Sequence, residues 1–174
     1  MPALLIFGIS VAFSFVAWSV VAALYIWPAL QTRSRFEALR MLLVLHVFRF
    51  EGLSFLVPGV VSPDLPIGFA RDAAYGDLTA AILALLALAS LRKAWGIGLV
   101  WLFNIWGSID LLNAFYQANS GGLQPGQLGA TFFIPTLLVP LLLITHGLVF
   151  AILLDRQMSG RSLRHQALLP APAV

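Results

Sequence analysis

Residues 4–27 read LLIFGISVAFSFVAWSVVAALYIW, an apolar run without one charged side chain. A hydrocarbon core about 30 Å thick is crossed by about 20 residues of α-helix, so this run is long enough to span a bilayer. The whole chain shares its character: of 174 residues, 60% are hydrophobic and 10% charged, with a mean hydropathy of +0.95. A soluble domain carries about 25% charged residues, and this sequence could not cover its own surface in water. Lipid is the expected solvent, which excludes a soluble enzyme and a disordered chain. The absence of cysteine removes disulfides, thiol redox chemistry, a cysteine nucleophile and thiolate-bound metals.

Four further segments reach spanning length, at about residues 39–61, 67–91, 95–116 and 131–154. Turn signals separate them: Pro28, the run from Ser62 to Pro66, the Arg92-Lys93 pair and the glycine-rich stretch from Ser120 to Gly126. The expected fold is an all-α integral membrane protein, a five-transmembrane-helix bundle forming one domain over residues 1–158. A polar and then Pro/Ala-rich tail over residues 159–174 is expected to be mobile. The run at 4–27 lacks a basic leader and a small-residue cleavage site, so it reads as a span and not as a signal peptide.

The charges orient these spans. Arg33, Arg35 and Arg40 fall between spans one and two, Arg92 and Lys93 between three and four, and Arg156, Arg161 and Arg164 after five. The opposite connections hold Asp64 and an Arg71/Asp72 pair, or no charge at all. Basic loops stay in the cytoplasm, which predicts the N-terminus outside, the C-terminus cytoplasmic and a multi-pass protein of the plasma membrane, the inner one in a bacterium. The net charge of +3 and the pI near 10.0 then reflect loops meeting anionic headgroups. Membrane lipids are the expected partners, with an apolar small molecule or another membrane protein beside them. No basic stripe alternates with aromatics, so nucleic acid is not among them.

Tyr25, Trp27, Trp95 and Tyr116 lie near span ends, where amphipathic aromatics anchor at headgroup level. Gly76, Ala80, Ala84 and Ala87 in span three, and Ser10 and Ser14 beneath Trp18 in span one, read as stripes for close helix packing. Pro58, Pro135 and Pro140 read as kinks, and the stretch from Ser120 to Gly126 as a flexible outer loop.

A charged side chain at the membrane centre costs at least about 2.5–3.5 kcal/mol, so such groups turn into the bundle. Span two holds Arg49 and Glu51, span three Asp77 and span four Asp110. Glu51 lies about 200° around an α-helix from Arg49, and polar groups on opposed faces predict that span two is the central helix. Counting depth along the spans brings Arg49, Glu51, Asp77 and Asp110 into one cluster below the outer surface, and these four are the candidate catalytic residues. The cluster reads as a buried ion-pair network, a proton-relay or cation site, or the wall of a water-filled substrate cavity. Trp106, Asp110, Asn113 and Gln117 recur at helical spacing as a polar seam toward the outer surface.

His46 in span two and His146 in span five fall at matching depth. Iron held between two facing histidines needs that arrangement, so the pair is a candidate axial set for haem b, with Phe48, Phe50, Trp101, Phe103 and Phe150 as apolar bulk. Hydrogen-bonded structural histidines, or a metal site of His46, His146 and a carboxylate, are the alternatives. No span holds a lysine for a retinal Schiff base, and no glycine loop suits a phosphate. Three functions stay open: a module binding an apolar ligand or cofactor, with haem as its concrete form; a proton- or cation-coupled carrier or small intramembrane enzyme; and a structural subunit of a larger membrane complex.

Overall fold

A computed structural model of the chain describes residues 2–155, and these are helical with no strand among them. Helix α1 runs Ala3–Gln31, with a π turn at Ala22–Ile26. Helix α2, Arg35–Val47, tightens into a 3-10 helix over Phe48–Leu56. Helices α3 (Ile67–Ser90) and α4 (Gly96–Ser120) follow, then a 3-10 segment at Pro125–Phe132. Helix α5 runs Ile134–Leu154 and opens with a π turn at Ile134–Leu138, bracketed by Pro135 and Pro140. Among the described residues, four helices (α1, α3, α4 and α5) are long and apolar enough to cross a membrane. The tail over residues 159–174 and the arginines at 156, 161 and 164 lie outside the described residues.

Local chemistry explains the start of α2. Ser34 Oγ accepts from the Glu37 amide at 3.3 Å, and the Glu37 carboxylate accepts from the Ser34 amide at 3.2 Å. Two otherwise orphaned backbone donors are satisfied reciprocally. Those bonds hold the Glu37 carboxyl below its ordinary range. One residue on, Arg35 Nη2 donates to the Leu153 carbonyl at 2.9 Å, a cation on the last turn of α5. The start of α2 and the end of α5 are thereby tied at one end of the bundle.

The central helix is α3, a correction to the expectation for span two. Half of the apolar window of α3 is buried against other helices, and only 6% of that of α1. Ala74, Ala80, Ala84 and Ala87 are completely buried, and these small residues let α2 and α4 approach the α3 backbone closely. Met41, Val44, Phe48 and Glu51 face outward, so α2 and its extension are covered on one side only. The apolar core nearest the basic loops joins Leu39 and Leu43 to Val100, Phe103, Val149 and Ile152. Helix α1 lies at the periphery and is held to α5 by the Trp18 indole, which donates to the Leu137 carbonyl at 3.1 Å within the π turn.

One further expectation is corrected at the opposite end. The helical segment expected as span two ends at Leu56, and Pro58 lies beyond it in a turn where Gly59 adopts φ 83°, so this proline kinks no helix. The glycine-rich stretch after α4 leads into an ordered wedge, with Leu128 fully buried. Ala130 donates to the Val60 carbonyl at 2.8 Å and Ser62 to the Gln127 carbonyl at 3.0 Å, tying the two connections together. A Cβ at Gly129, whose φ is 55°, would collide with the Val60 carbonyl.

Candidate functional site

The 3-10 winding of Phe48–Leu56 sets the site. Its buried residues are Arg49, Gly52 and Phe55, a spacing of three that eclipses on one face when a turn takes 3.0 residues. That face lies on α3. Arg49 Nε donates to Asp77 Oδ1 at 2.7 Å, and Nη2 pairs with Asp77 Oδ1 at 2.7 Å and with Asp110 Oδ2 at 2.6 Å. Nη1 donates to the Gly107 carbonyl at 3.2 Å and to His146 Nε2 at 3.3 Å. One guanidinium thus joins α2, α3, α4 and α5.

A guanidinium has only donors, so His146 accepts at Nε2 and carries its proton on Nδ1. That nitrogen donates to Asn104 Oδ1 at 2.7 Å, while Asn104 Nδ2 donates to the His146 carbonyl at 3.2 Å. The asparagine therefore fixes both the tautomer and the ring. His46 Nε2 lies 3.1 Å from Thr145 Oγ1, and its buried Nδ1 has no hydrogen-bond partner among the described residues.

Three glycines make room for these groups. A Cβ on Gly52 would strike the Asp77 carboxyl, one on Gly76 the Asp110 carboxyl, and one on Gly107 would stand 2.7 Å from Arg49 Nη1 and 2.6 Å from the His146 ring. Sequence reasoning read Gly76 as a packing residue only and gave Gly52 no role. The signal was present in the 49, 52, 55 spacing, which is invisible at a period of 3.6 residues.

Of the four expected catalytic residues, Arg49, Asp77 and Asp110 meet. Glu51 does not, a correction. It is exposed on the outer side of its segment, because no helix packs on the face opposite Arg49. Along the expected seam on α4, Trp106 and Asn113 are exposed, while Gln117 donates to Asp72 at 3.1 Å. His46 and His146 do share one depth, but they do not fit a haem. Their rings stand 4.2 Å apart between centroids, with Phe103 against both at 5.0 and 5.1 Å. Rings in contact leave no gap for a macrocycle, and the His146 Nε2 lone pair is already taken by Arg49. Phe48 and Phe50, expected to flank the porphyrin, face outward. Nor is a metal held by the histidines with a carboxylate: among the described residues no three such side chains converge, and Arg49 stands between His146 and both aspartates.

Asp77 and Asp110 line a cavity of about 450 Å³. Its walls come from Leu4 and Phe7 of α1, Phe69 and Ala73 of α3, Ala114 and Phe115 of α4, and Pro135 of α5, with Gln124 and Pro125 of the loop above. Asp77 lies ten residues into α3, about 15 Å from its start at 1.5 Å per residue, so the carboxylates form the floor of an apolar well.

The chain matches, over residues 6–154, the model of a family described as Domain of unknown function (DUF8737). The chain belongs to that family. The DUF8737 match ends on the last residue of α5 and contains the whole arginine node, its three glycines and the walls of the well from Phe7 onward. No curated protein and no solved structure matches the chain significantly.

Proposed function

We propose that this protein crosses the membrane five times and binds a small apolar molecule in the well between α1, α3, α4 and α5. One observation carries the proposal: the well is large, apolar on its walls and furnished with two carboxylates at its floor. Sites of a few hundred Å³ with predominantly apolar linings and a few convergent polar groups are the usual form of small-molecule pockets. The fifth crossing is α2 with its extension, 13 α-helical and 9 3-10 residues, about 37 Å at rises of 1.5 and 2.0 Å. The basic residues Arg33, Arg35, Arg40, Arg92 and Lys93 belong to one end of the bundle and the well to the other. By the positive-inside rule the well opens outside and the C-terminus is cytoplasmic, with the plasma membrane as the expected location.

The chain has no cysteine, so single cysteines report topology directly. An impermeant maleimide added to intact cells labels Asn119→Cys and spares Arg92→Cys; the reverse pattern inverts the protein. Ligand binding is tested with 4-butylneopentylbenzene, a neutral probe, partitioned between protein-bearing and empty phosphatidylcholine nanodiscs. Saturable excess binding is expected, and Ala114→Trp, which fills the well, removes it. Equal partition into both discs refutes the pocket. A second reading, a proton- or cation-coupled carrier, draws on the same floor, where one guanidinium faces two carboxylates. It requires cation- or proton-dependent flux in proteoliposomes that Asp110→Asn abolishes.

A further inference from the structure

We infer that the ligand of this well is a hydrophobic cation, an amphiphile with an ammonium head and an apolar body. The inference rests on the pocket proposed above and names the chemical class it takes.

Donors and acceptors at the floor are unequal. Arg49 has five N–H groups and no acceptor. Nε goes to Asp77, Nη2 to Asp110 and Nη1 to the Gly107 carbonyl and His146, with Nη2 also paired to Asp77 Oδ1 at 2.7 Å. The arginine side chain is fully buried and does not line the well, so the guanidinium has nothing to offer an incoming anion or carbonyl. The carboxylates are not spent. Among the described residues no hydrogen bond reaches Asp77 Oδ2 or Asp110 Oδ1. Those oxygens rest against the bare backbone of Gly52 and Gly76, which bring no side-chain donor to them. Asp77 is only 7% exposed, and what it exposes belongs to the well.

With both aspartates ionised the node is one positive charge against two negative, and both carboxyls line the well. A cationic head supplies the missing charge and, where it carries N–H, a charge-assisted bond to the carboxylates. An anion meets repulsion with no donor to offset it. The walls complete the fit. Phe7, Phe55, Phe69 and Phe115 surround the space above the floor, with the Phe55 and Phe69 rings edge to face at 5.7 Å. Aromatic faces attract alkylated ammonium groups, which are less hydrated than a bare ammonium. An apolar body then fills the remainder of the well up to Leu4 and Gln124.

The experiment adds one probe to the nanodisc partition. 4-Butylbenzyltrimethylammonium has the shape of 4-butylneopentylbenzene with nitrogen in place of the quaternary carbon. Each is measured against empty phosphatidylcholine discs, so that its affinity for lipid cancels. The cation is expected to bind at least tenfold more tightly than its neutral twin. Asp110→Asn, which keeps the Arg49–Asp77 pair, should reduce that ratio to near unity. Asp77→Asn should act in the same direction, and a melting curve of each variant verifies its fold. Equal binding of the two probes to the wild-type protein, or a preference that survives in both folded variants, overturns the hydrophobic cation and leaves the pocket standing. Absence of saturable binding for either probe overturns the pocket itself.

Discussion

Helices α1 and α3 are both long and apolar enough to cross a membrane, yet they are opposites in composition and place. The more hydrophobic α1 has 6% of its apolar window buried, and the less hydrophobic α3, with Asp77 and a row of alanines, has half of its own. In water the order would be reversed. Here the solvent is hydrocarbon, so large apolar side chains such as Phe13 and Val16 of α1 face outward and gain nothing by burial. Beside its apolar core, the interior collects small and polar groups. Stability should therefore reside in the arginine node, its glycines and that core, and scarcely at all in bulky residues that face outward.

The largest effect expected of a single substitution follows from removing the hub of the node. Arg49→Met leaves Asp77 and Asp110 buried without a counter-charge, and loss of one partner from such a network costs about 3–5 kcal/mol. Reversible unfolding in detergent checks it, and the triple variant Arg49→Met/Asp77→Asn/Asp110→Asn should regain most of the loss. If the triple variant is as unstable as the single one, the node contributes shape and not charge pairing. Asn104→Leu strips the Nδ1 partner from His146, a loss of about 1–3 kcal/mol for a buried donor left unpaired, and His146 should then exchange its ring proton faster by NMR. Gly76→Ala drives a methyl into the Asp110 carboxyl; crowding of this kind costs about 1–3 kcal/mol, and it should be largely relieved in Gly76→Ala/Asp110→Ala.

Phe13, 73% exposed on α1, sets the other pole of the comparison. Phe13→Leu should change stability by less than about 0.5 kcal/mol, as for an exposed site remote from any special feature. A loss comparable with that of Gly76→Ala would mean that α1 is covered by a partner. The last test concerns the cap of α2. Glu37 has a carboxyl held below its ordinary value by Ser34, so its contribution is complete above the ordinary carboxyl range and is lost as pH falls through the lowered value. Protection factors of the amides at the start of α2 should fall on acidification, and Ser34→Ala should flatten that dependence.

Much of this was legible in the sequence, for reasons that can be named. Apolar length marked α1, α3, α4 and α5 to within about a turn, because a bilayer imposes one thickness on every helix. The charges at membrane depth marked Arg49, Asp77 and Asp110, because lipid tolerates them only inside. What stayed hidden depends on winding and on neighbours. Glu51 has the same composition argument as Arg49 but sits where no helix covers it, and nothing in a single chain's pattern says which face of α2 is vacant. His46 and His146 were rightly read as sharing a depth, but depth says nothing of ring separation, and 4.2 Å is contact and not a ligand gap. Gly52 was silent because its role exists only at a period of three.

The tight winding of Phe48–Leu56 couples two parts of the well, since the same nine residues carry Arg49 under its floor and Phe55 in its wall. Relaxed to an ordinary α-helix, the segment would shorten by about 4.5 Å and swing Phe55 about 120° around the axis relative to Arg49. Any motion that loosened this coil would act as a screw, lifting the guanidinium from the aspartates and withdrawing an aromatic ring from the chamber in one turn of the thread.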